Sequence, residues 1–540
     1  MTAILALLLA CGTGADVPAG DSAEASGVTR AALPPDAAAM APSLKRLTRP
    51  QYVHAMRDLF GSGLVLPASL EPDQRIEGLY AVGAARTTIS SYGVEKYEST
   101  AFSIAEQVMA DPERRERWVT CTPSDTVDDA CAAEVLEALG RQAWRRPLTS
   151  TELDTVVSIA DEAAAVLDDF DAGLEFGIAA LLTSPHFLYR VELGDEAGSP
   201  DGGYGDHEMA SRLSFFLWDT IPDAELHAAA ASGELTTEAG LEAQVDRMLA
   251  DPRARDGVRA LFSEMLHLDE LDALSKDPTV FTSMSETLGP AAREETLLGI
   301  EAMAFEDDAP YLELFTARRT FLDRELAALY AVPAPSPDGF GETWLPADGP
   351  RFGLFGQASF LALNAHAVST SVTLRGIFVR EVLLCQDIPD PPANANTSIP
   401  EVDASAPTMR DRIRVHLEVE ECASCHRLTD PIGLGFENFD GLGQWRTIEN
   451  GSEIDPSGEL DGIAFSDGAA LGAAIAAHPR TPYCMTRTAL QYATGDLAGT
   501  LDAELLDWHT LGFEGEGHRL LWLLRDVALS PAFRQVGEVE

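Results

Sequence analysis

Two cysteines and a histidine stand at a spacing that suits covalent attachment of a cofactor. Residues 421–426 read ECASCH, with Cys422 and Cys425 three positions apart and His426 directly after the second cysteine. Residues three and four apart share one face of a helix. Both thiols can therefore reach the two vinyl groups at a porphyrin edge, while His426 lies beneath the iron. This is the attachment pattern of a c-type haem, and we expect one covalent haem c.

Other chemistry is open to the same residues. A bare CxxC pair can be a redox dithiol, although that use is typical of a βαβ setting, which the surrounding sequence does not suggest. A zinc site could combine Cys422, Cys425 and His426 with His416, although a cysteine and a histidine next to each other make awkward joint ligands.

The second axial ligand of the haem iron is open between three alternatives. His416 lies six residues before Cys422, and it could cross to the far face of the haem only if the helix breaks near residues 418–421. Met485 is the only methionine after His426, and Met409 lies upstream. The third alternative is an open or water-bound position, which would allow peroxide or oxygen chemistry rather than electron transfer alone.

The elements that must position this motif are predicted to be helices. In residues 206–218, Met209, Leu213, Phe216 and Leu217 fall on one helical face. Helices are also predicted over 244–249, 254–268, 318–329 and 371–384. Convincing strand alternation is scarce, and strands could occur near 449–460, where turn residues are dense. Asp430-Pro431 is expected to end the motif helix.

The residues that follow the motif suit a haem pocket. Gly433 and Gly435 would allow the backbone to approach a flat cofactor, and Phe436, Phe439 and Trp445 would line it, unless they are ordinary core aromatics. The fold class is predominantly α, a multi-part helical body with a C-terminal helical module that binds the haem.

The remaining cysteines predict two disulfides. Seven cysteines occur, at Cys11, Cys121, Cys131, Cys385, Cys422, Cys425 and Cys484. Without Cys11 and the motif pair an even number remains, which in an exported chain favours Cys121–Cys131 and Cys385–Cys484. The alternative is four buried free thiols.

The N-terminus predicts export and lipid anchoring. Residues 1–10 are almost wholly apolar, and residues 8–11, LLAC, resemble a bacterial lipobox with Cys11 as the lipidated residue. The first basic residue is Arg30, whereas a secretory signal begins with positive charge; this leaves open a translation start upstream of Met1. The alternative is an apolar start of a cytosolic protein. Because no later apolar run suits a bilayer span, we expect membrane association through the lipid alone, in the periplasm or at the outer membrane or cell surface.

The net charge of the chain limits the classes of molecule that it can bind. The formal net charge of the 540 residues is −49, which opposes binding to nucleic acid. This charge either solvates the surface or guides docking to a basic electron-transfer partner.

The composition and turn residues suggest a series of modules. The predicted order is a signal, a flexible tether, three helical modules of which the second holds Cys121 and Cys131, a haem module with a proline-rich linker at 386–408, and a C-terminal helical module. Their predicted bounds are 1–11, 12–43, 44–110, 111–195, 196–345, 346–450 and 451–540.

The motif and its surroundings resemble a known family. Residues 422–446, CASCHRLTDPIGLGFENFDGLGQWR, resemble the planctomycete-type cytochrome c domain. Its companion domains of unknown function are similar to stretches within 47–61, 143–190, 210–218, 375–376 and 484–495. The resemblance implies haem and a helical fold, and it implies no substrate.

Other candidate residues carry weaker patterns. His186 could serve a site or pack in the core. Asp430, Glu437 and Asp440 could be paired acid/base carboxylates of a hydrolase or could cap backbone amides. We expect a cell-envelope protein that transfers electrons or is a haem-dependent oxidoreductase, with its redox partner or small-molecule substrate unknown. The alternative is a helical binding or scaffold protein for a polymer or partner protein, with an accessory haem module.

Overall fold

The computed structural model describes residues 30–31, 33–35, 41–67, 70–194, 203–389, 402, 405–418 and 420–536. Cys11, most of the tether and most of the linker lie outside the described residues. The described chain is predominantly α-helical, as the sequence predicts. No helix in these ranges is long and apolar enough to cross a membrane.

The first part of the chain is a helical body closed by a short strand pair. Thr48 caps the first helix by a reciprocal exchange of hydrogen bonds with Gln51. The strands β1 (Ser43–Arg46) and β2 (Tyr189–Glu192) pair antiparallel, with Ser43 opposite Glu192. The helices are α1 (Arg49–Phe60), α2 (Tyr80–Ala84), α3 (Ser91–Ala110), α4 (Pro112–Trp118), α5 (Asp129–Ala143), α6 (Ser150–Leu167), α7 (Phe170–Thr183) and α8 (Pro185–Leu188).

The middle part contains helices and one further ribbon. Its α-helices are α9 (Asp206–Leu217), α10 (Ala224–Ala231), α11 (Glu238–Ala250), α12 (Ala254–Met265), α13 (Leu288–Glu301), α14 (Arg324–Tyr330), α15 (Ala358–Leu363) and α16 (Val372–Phe378). Strands β3 (Arg319–Leu322) and β4 (Gly341–Trp344) pair antiparallel. Tighter and wider turns of helix complete it: the 3₁₀ segments Leu268–Ala273, Tyr311–Phe315 and Leu354–Gly356, and the π segments Ala302–Glu306 and Val379–Leu383.

The last part holds the motif helix and a C-terminal helical group. Its α-helices are α17 (Met409–Glu418), α18 (Glu420–Leu434), α19 (Gly468–Ala476), α20 (Arg480–Thr494), α21 (Ala503–Gly515), α22 (Leu520–Ala528) and α23 (Pro531–Arg534), with a 3₁₀ turn at Ala498–Thr500. Its two ribbons are β5 (Ile448–Glu449) with β6 (Ser452–Glu453) and β7 (Gly458–Leu460) with β8 (Ile463–Phe465).

Two predictions of local structure are wrong. Residues 319–322 form strand β3 rather than helix, because Thr320 and Leu322 point inward and Arg319 and Phe321 outward, the alternation of a ribbon. Helix α14 begins only after Asp323, which caps it. Pro431 does not end the motif helix, which continues to Leu434. A proline inside a helix loses one backbone hydrogen bond, and close packing of this helix, described below, supports it.

The two predicted disulfides are confirmed. Cys121 is bonded to Cys131, with a Cα–Cα distance of 5.7 Å. Cys385 is bonded to Cys484 across a sequence separation of 99 residues. The second bond joins the end of the π segment that follows α16 to helix α20, and so fixes the start of the linker to the C-terminal group.

A buried carboxylate connects four segments of the chain. Lys45 on β1 donates to Glu192 on β2 at 2.5 Å, and Arg212 on α9 donates to the same oxygen. The Nε of Arg212 also donates to the carbonyl of Phe533 in α23 at 3.0 Å. The side chains of Lys45, Glu192 and Arg212 are at most 2% exposed. Burial opposes ionisation of Glu192, but the charges of Arg212, Lys45 and Arg190 outweigh it and lower the pKa of Glu192 to about 2.

Replacing this carboxylate should destabilise the fold. We expect Glu192→Gln to lower the free energy of unfolding by about 3–5 kcal/mol, because Lys45 and Arg212 stay buried without their counter-charge. Since the folded-state pKa of Glu192 lies below its usual 4.5, the stabilisation is complete above about pH 4.5 and is lost as the pH falls toward 2. Denaturant unfolding followed by circular dichroism measures both effects. The exposed Glu95→Gln should change stability by less than about 0.5 kcal/mol, and equal behaviour of the two variants would contradict the prediction.

Candidate haem site

The two motif cysteines are free thiols near the surface of helix α18. Both Cys422 and Cys425 are half-buried, and every other cysteine in the described part of the chain is in a disulfide. The neighbouring Ser424 is exposed, and Leu428 is 40% exposed. The thiols are therefore one helical turn apart on a face that a cofactor can reach.

His426 is already oriented by a buried carboxylate. Its Nδ1 lies 2.9 Å from Oδ2 of Asp430, one helical turn later, and Asp430 is only 1% exposed in its side chain. Thr373 of α16 donates to the other oxygen of Asp430 at 2.9 Å. With the carboxylate as acceptor, Nδ1 carries the proton and Nε2 keeps its lone pair for a metal. A partner of this kind fixes the ring of a metal-binding histidine and raises its basicity.

These residues fit a c-type haem. Two thiols for the porphyrin edge stand one turn apart, and the next residue is a histidine whose Nδ1 is held by Asp430 while Nε2 remains for iron. The assignments of Cys422, Cys425 and His426 remain predictions, supported by this donor set.

His416 lies directly against His426. The two ring centroids are 4.4 Å apart, and His416 is buried. Ten residues of a straight helix span ~15 Å, so α17 and α18 must fold back on each other between these histidines. One ligand atom from each of His416, His426 and Asp430 lies within 4.8 Å of the others, close enough for a metal ion in the described structure.

The contact between the rings bears on the second axial ligand. The two imidazole rings are in contact, with no room for a porphyrin between them, so His416 would have to move away from His426 to serve as the second ligand. Met485 is fully buried in the main hydrophobic core beside the Cys385–Cys484 bond. The second ligand stays a prediction for both residues.

Helix α18 is held by unusually close contact with α16. A Cβ on Gly433 would lie 1.8 Å from the carbonyl oxygen of Val372, and one on Gly376 would lie 2.1 Å from that of Thr429. The lack of a side chain at Gly433 thus allows close approach of the backbone of helix α16, rather than of a flat cofactor as predicted. Because α16 and α18 are in backbone contact at both Gly433 and Gly376, Thr373 lies beside the His426–Asp430 pair.

Arg375 organises the loop that follows the motif helix. Its side chain is fully buried, and it donates to the carbonyls of Phe436 at 2.9 Å, Phe439 at 3.1 Å and Asp440 at 2.8 Å. It also pairs with Glu437, whose pKa is raised by burial against the opposing charges of Arg375 and Arg446. Glu437 is therefore part of the scaffold of this loop.

The other candidates of the sequence analysis also have structural partners. Asp440 accepts from the backbone amides of Leu442 and Gln444 and so closes a turn. Phe436 is buried and stacks on Phe355 at 5.0 Å, as a core aromatic does, whereas Phe439 packs against Trp445. His186 lies against the ring of Trp144 and near Arg146, away from the motif.

Comparison with known sequences identifies the modules of the chain. Four families match in succession, each described as a protein of unknown function: PSD3 (DUF1587) over 45–110, PSD5 (DUF1595) over 131–192, PSD4 (DUF1592) over 205–332 and PSCyt3 (DUF1588) over 351–449. The last match contains the whole of helix α18. The chain belongs to the planctomycete-type cytochrome c-associated family.

The comparisons show the family of the chain, but they assign no activity to it. No curated protein and no solved structure matches the chain. The cytochrome c-like character rests on the PSCyt3 match. Sequence reasoning missed Thr373, and it treated Asp430 as an acid/base candidate; the i,i+4 spacing of His426 and Asp430 in one helix is the signal that would have paired them.

Two glycine variants test the contact between α16 and α18, because they should change the stability of the fold in opposite directions. Gly433→Ala should destabilise the planctomycete-type module by about 1–3 kcal/mol, because the methyl group would overlap the Val372 carbonyl. Gly299→Ala, within α13 and with nothing within 4 Å of the added carbon, should stabilise by up to about 1 kcal/mol. Thermal unfolding of the two variants measures this difference, and stabilisation by Gly433→Ala would contradict the packing.

Proposed function

We propose that this chain is an exported electron-transfer protein of the cell envelope that carries one haem c on helix α18. The observation that carries the proposal is a surface pair of free thiols followed by a histidine whose Nδ1 is anchored to buried Asp430. Cys422 and Cys425 would form the thioether bonds, and His426 would ligate the iron through Nε2. Haem c supplies a one-electron redox centre when bound.

The surroundings of the motif favour exchange of electrons with a partner. The exposed residues Ser424, Arg427 and Leu428 place one side of helix α18 at the surface. A haem attached there is accessible to a docking protein. The net charge of −49 would speed encounter with a basic partner at low ionic strength. A haem-dependent oxidoreductase acting on a small molecule is the second form of this proposal, and it requires an open axial position.

Localisation follows the same proposal. Two disulfides are typical of an oxidising compartment, which is also where c-type haem is attached. We propose that lipidation at Cys11 anchors the chain to a membrane of the cell envelope. The tether of this proposal is shorter than the predicted 12–43, because Arg30 pairs with Asp526 of α22 at 2.7 Å and Ser43 belongs to β1.

Covalent haem is the direct test. Expressed with a haem-maturation system, the chain should keep one haem after denaturation, and Cys422→Ala with Cys425→Ala should abolish it. Cys121→Ala with Cys131→Ala, which removes a disulfide in another module, should leave haem attached. The pyridine haemochrome spectrum of denatured protein reads the attachment.

Two other results are informative in the same preparation. A Soret shift of the reduced protein with carbon monoxide would favour the oxidoreductase form over electron transfer. Stoichiometric zinc without a Soret band in exported protein would overturn the haem proposal and favour a metal site at His416, His426 and Asp430.

The role of Asp430 can be measured apart from attachment. Asp430→Asn should shift the reduction potential upward, because the carboxylate makes His426 a more basic ligand and so stabilises the oxidised iron. The exposed Asp455→Asn, elsewhere in the last part of the chain, removes the same charge at a distance and should shift it far less. Equal shifts in a potentiometric titration would show that the contact between Asp430 and His426 does not tune the potential, and would contradict the prediction.

A further inference from the structure

Two tryptophans near the end of the chain hold an arginine from near its start. The guanidinium carbon of Arg30 lies 3.1 Å from the ring centroid of Trp508 on α21 and 5.3 Å from that of Trp522 on α22. A guanidinium stacked on an indole at such distances is attracted by the face of the ring. The two helices therefore surround one cationic group with aromatic rings.

A carboxylate completes the contacts of this cation. Oδ1 of Asp526 on α22 accepts from Nη2 of Arg30 at 2.7 Å, and its Oδ2 lies 2.5 Å from Nδ1 of the buried His509. The side chain of Asp526 is 12% exposed and that of Arg30 is 21% exposed, so water screens this ion pair only in part. We call Trp508, Trp522 and Asp526 the guanidinium box.

The backbone of the bound segment and a glycine of α21 also fit the box. Nε1 of Trp508 donates to the carbonyl of Ala31 at 2.9 Å, so one indole contacts both the cation and the peptide group beside it. A Cβ on Gly512 would lie 2.3 Å from Nη1 of Arg30 and 2.6 Å from Cη2 of Trp522. The guanidinium therefore occupies space that any other residue at this position would fill.

The charge of the N-terminal segment explains why Arg30 is the residue in the box. Arg30 is the only lysine or arginine among residues 1–44, and the other charged side chains there are acidic. Because the whole chain carries a net charge of −49, the rest of this segment is repelled by the body on which it lies. The attraction is left to one guanidinium, whose flat shape and fork of N–H donors suit indole faces and a carboxylate better than an ammonium does.

We propose that the guanidinium box is a binding site for an arginine-containing peptide, and that Arg30 occupies it as a latch that opens and closes. Residues 31–42 join Arg30 to strand β1, and a link of such a length gives a local ligand concentration on the order of 1 mM. If the isolated segment binds with a dissociation constant of about 0.1 mM, the latch is closed in about nine-tenths of the molecules.

The latch sets how far the body extends from an anchored N-terminus. This consequence rests on the proposed lipidation of Cys11, whereas the binding of Arg30 does not. With the latch closed, residues 12–29 separate the lipid from the box and span at most about 65 Å. With the latch open, residues 12–42 separate the lipid from β1 and span at most about 110 Å. Release of Arg30 would therefore increase the reach of the body from the membrane.

Trypsin measures the opening of the latch on the purified full chain. The fragment that ends at Arg30 contains no other lysine or arginine, so mass spectrometry identifies cleavage at this one bond. Gly512→Ala should accelerate this cleavage roughly tenfold, because the methyl group takes the place of the guanidinium and the cleavage rate follows the open fraction. Gly515→Ala, in the same helix with nothing within 4 Å of the added carbon, should leave the rate unchanged. Thermal unfolding of both variants checks that the fold is intact.

A peptide added in trans tests the chemistry of the box apart from the latch. Arg30→Ala vacates the box in the full chain, and the capped peptide SGVTRAALPP, residues 26–35, should bind this variant with a dissociation constant of about 0.1 mM in calorimetry. The same peptide with citrulline in place of arginine keeps the shape and loses the charge, so it should bind at least about tenfold more weakly. Asp526→Asn, added to Arg30→Ala, should weaken binding of the arginine peptide by a similar factor.

Three results would overturn the proposal. Cleavage after Arg30 that is as fast in the unmodified chain as in Gly512→Ala would exclude a latch. Equal binding of the arginine and citrulline peptides would exclude recognition of the guanidinium. Protection from trypsin that increases with protein concentration would show that the segment binds a second copy of the chain instead of its own body. None of these measurements requires haem or lipid, so failure of the proposed function would leave them unchanged.

Discussion

The buried charge of Glu192 is the interaction on which the assembly of this chain depends. It lies between Lys45 from the start of the described body and Arg212 from α9, and Arg212 reaches on to the carbonyl of Phe533 near the end. A buried ion pair gains little over an apolar core, but it demands that all its members be present at once. Lys45, Glu192 and Arg212 lie in three different family matches, and Phe533 lies after the last match. Their contacts fix these segments in one arrangement, and with them the helices that carry the candidate site.

The sequence predicts those parts of the fold that depend on local patterns. The helix at Asp206–Leu217, the strands near 449–460 and both disulfides follow from periodicity, turn residues and the count of cysteines. Strand β1 is missed because its two buried residues, Lys45 and Arg46, are charged, and ion pairs with Glu192 and Asp73, which are distant in sequence, make that burial possible. The four residues of β1 alone carry no information about ion-pair partners that are so distant in sequence.

The candidate haem site is likewise predicted from the sequence only where local patterns determine it. Cys422, Cys425 and His426 are visible as a motif, whereas Thr373 and the role of Gly433 depend on the packing of α16 against α18. Pro431 illustrates the competing forces: its local preference is to end a helix, but backbone contacts on both sides of it keep α18 continuous. Tertiary packing thus overrides a local rule at the point where the His426–Asp430 pair must be held on one helical face.

A stack of aromatic rings connects the 3₁₀ segment Tyr311–Phe315 to the loop that follows the motif helix. Phe315, at the end of the 3₁₀ segment that carries Glu313, stacks on Phe355 at 5.7 Å, and Phe355 stacks on Phe436 at 5.0 Å. Phe436 follows helix α18, and Arg375 holds its carbonyl. Close-packed rings transmit position because they cannot slide without opening voids. The position of the motif helix is therefore tied to that of the middle part of the chain, and a cofactor attached to Cys422 and Cys425 would be held in a fixed place on this body.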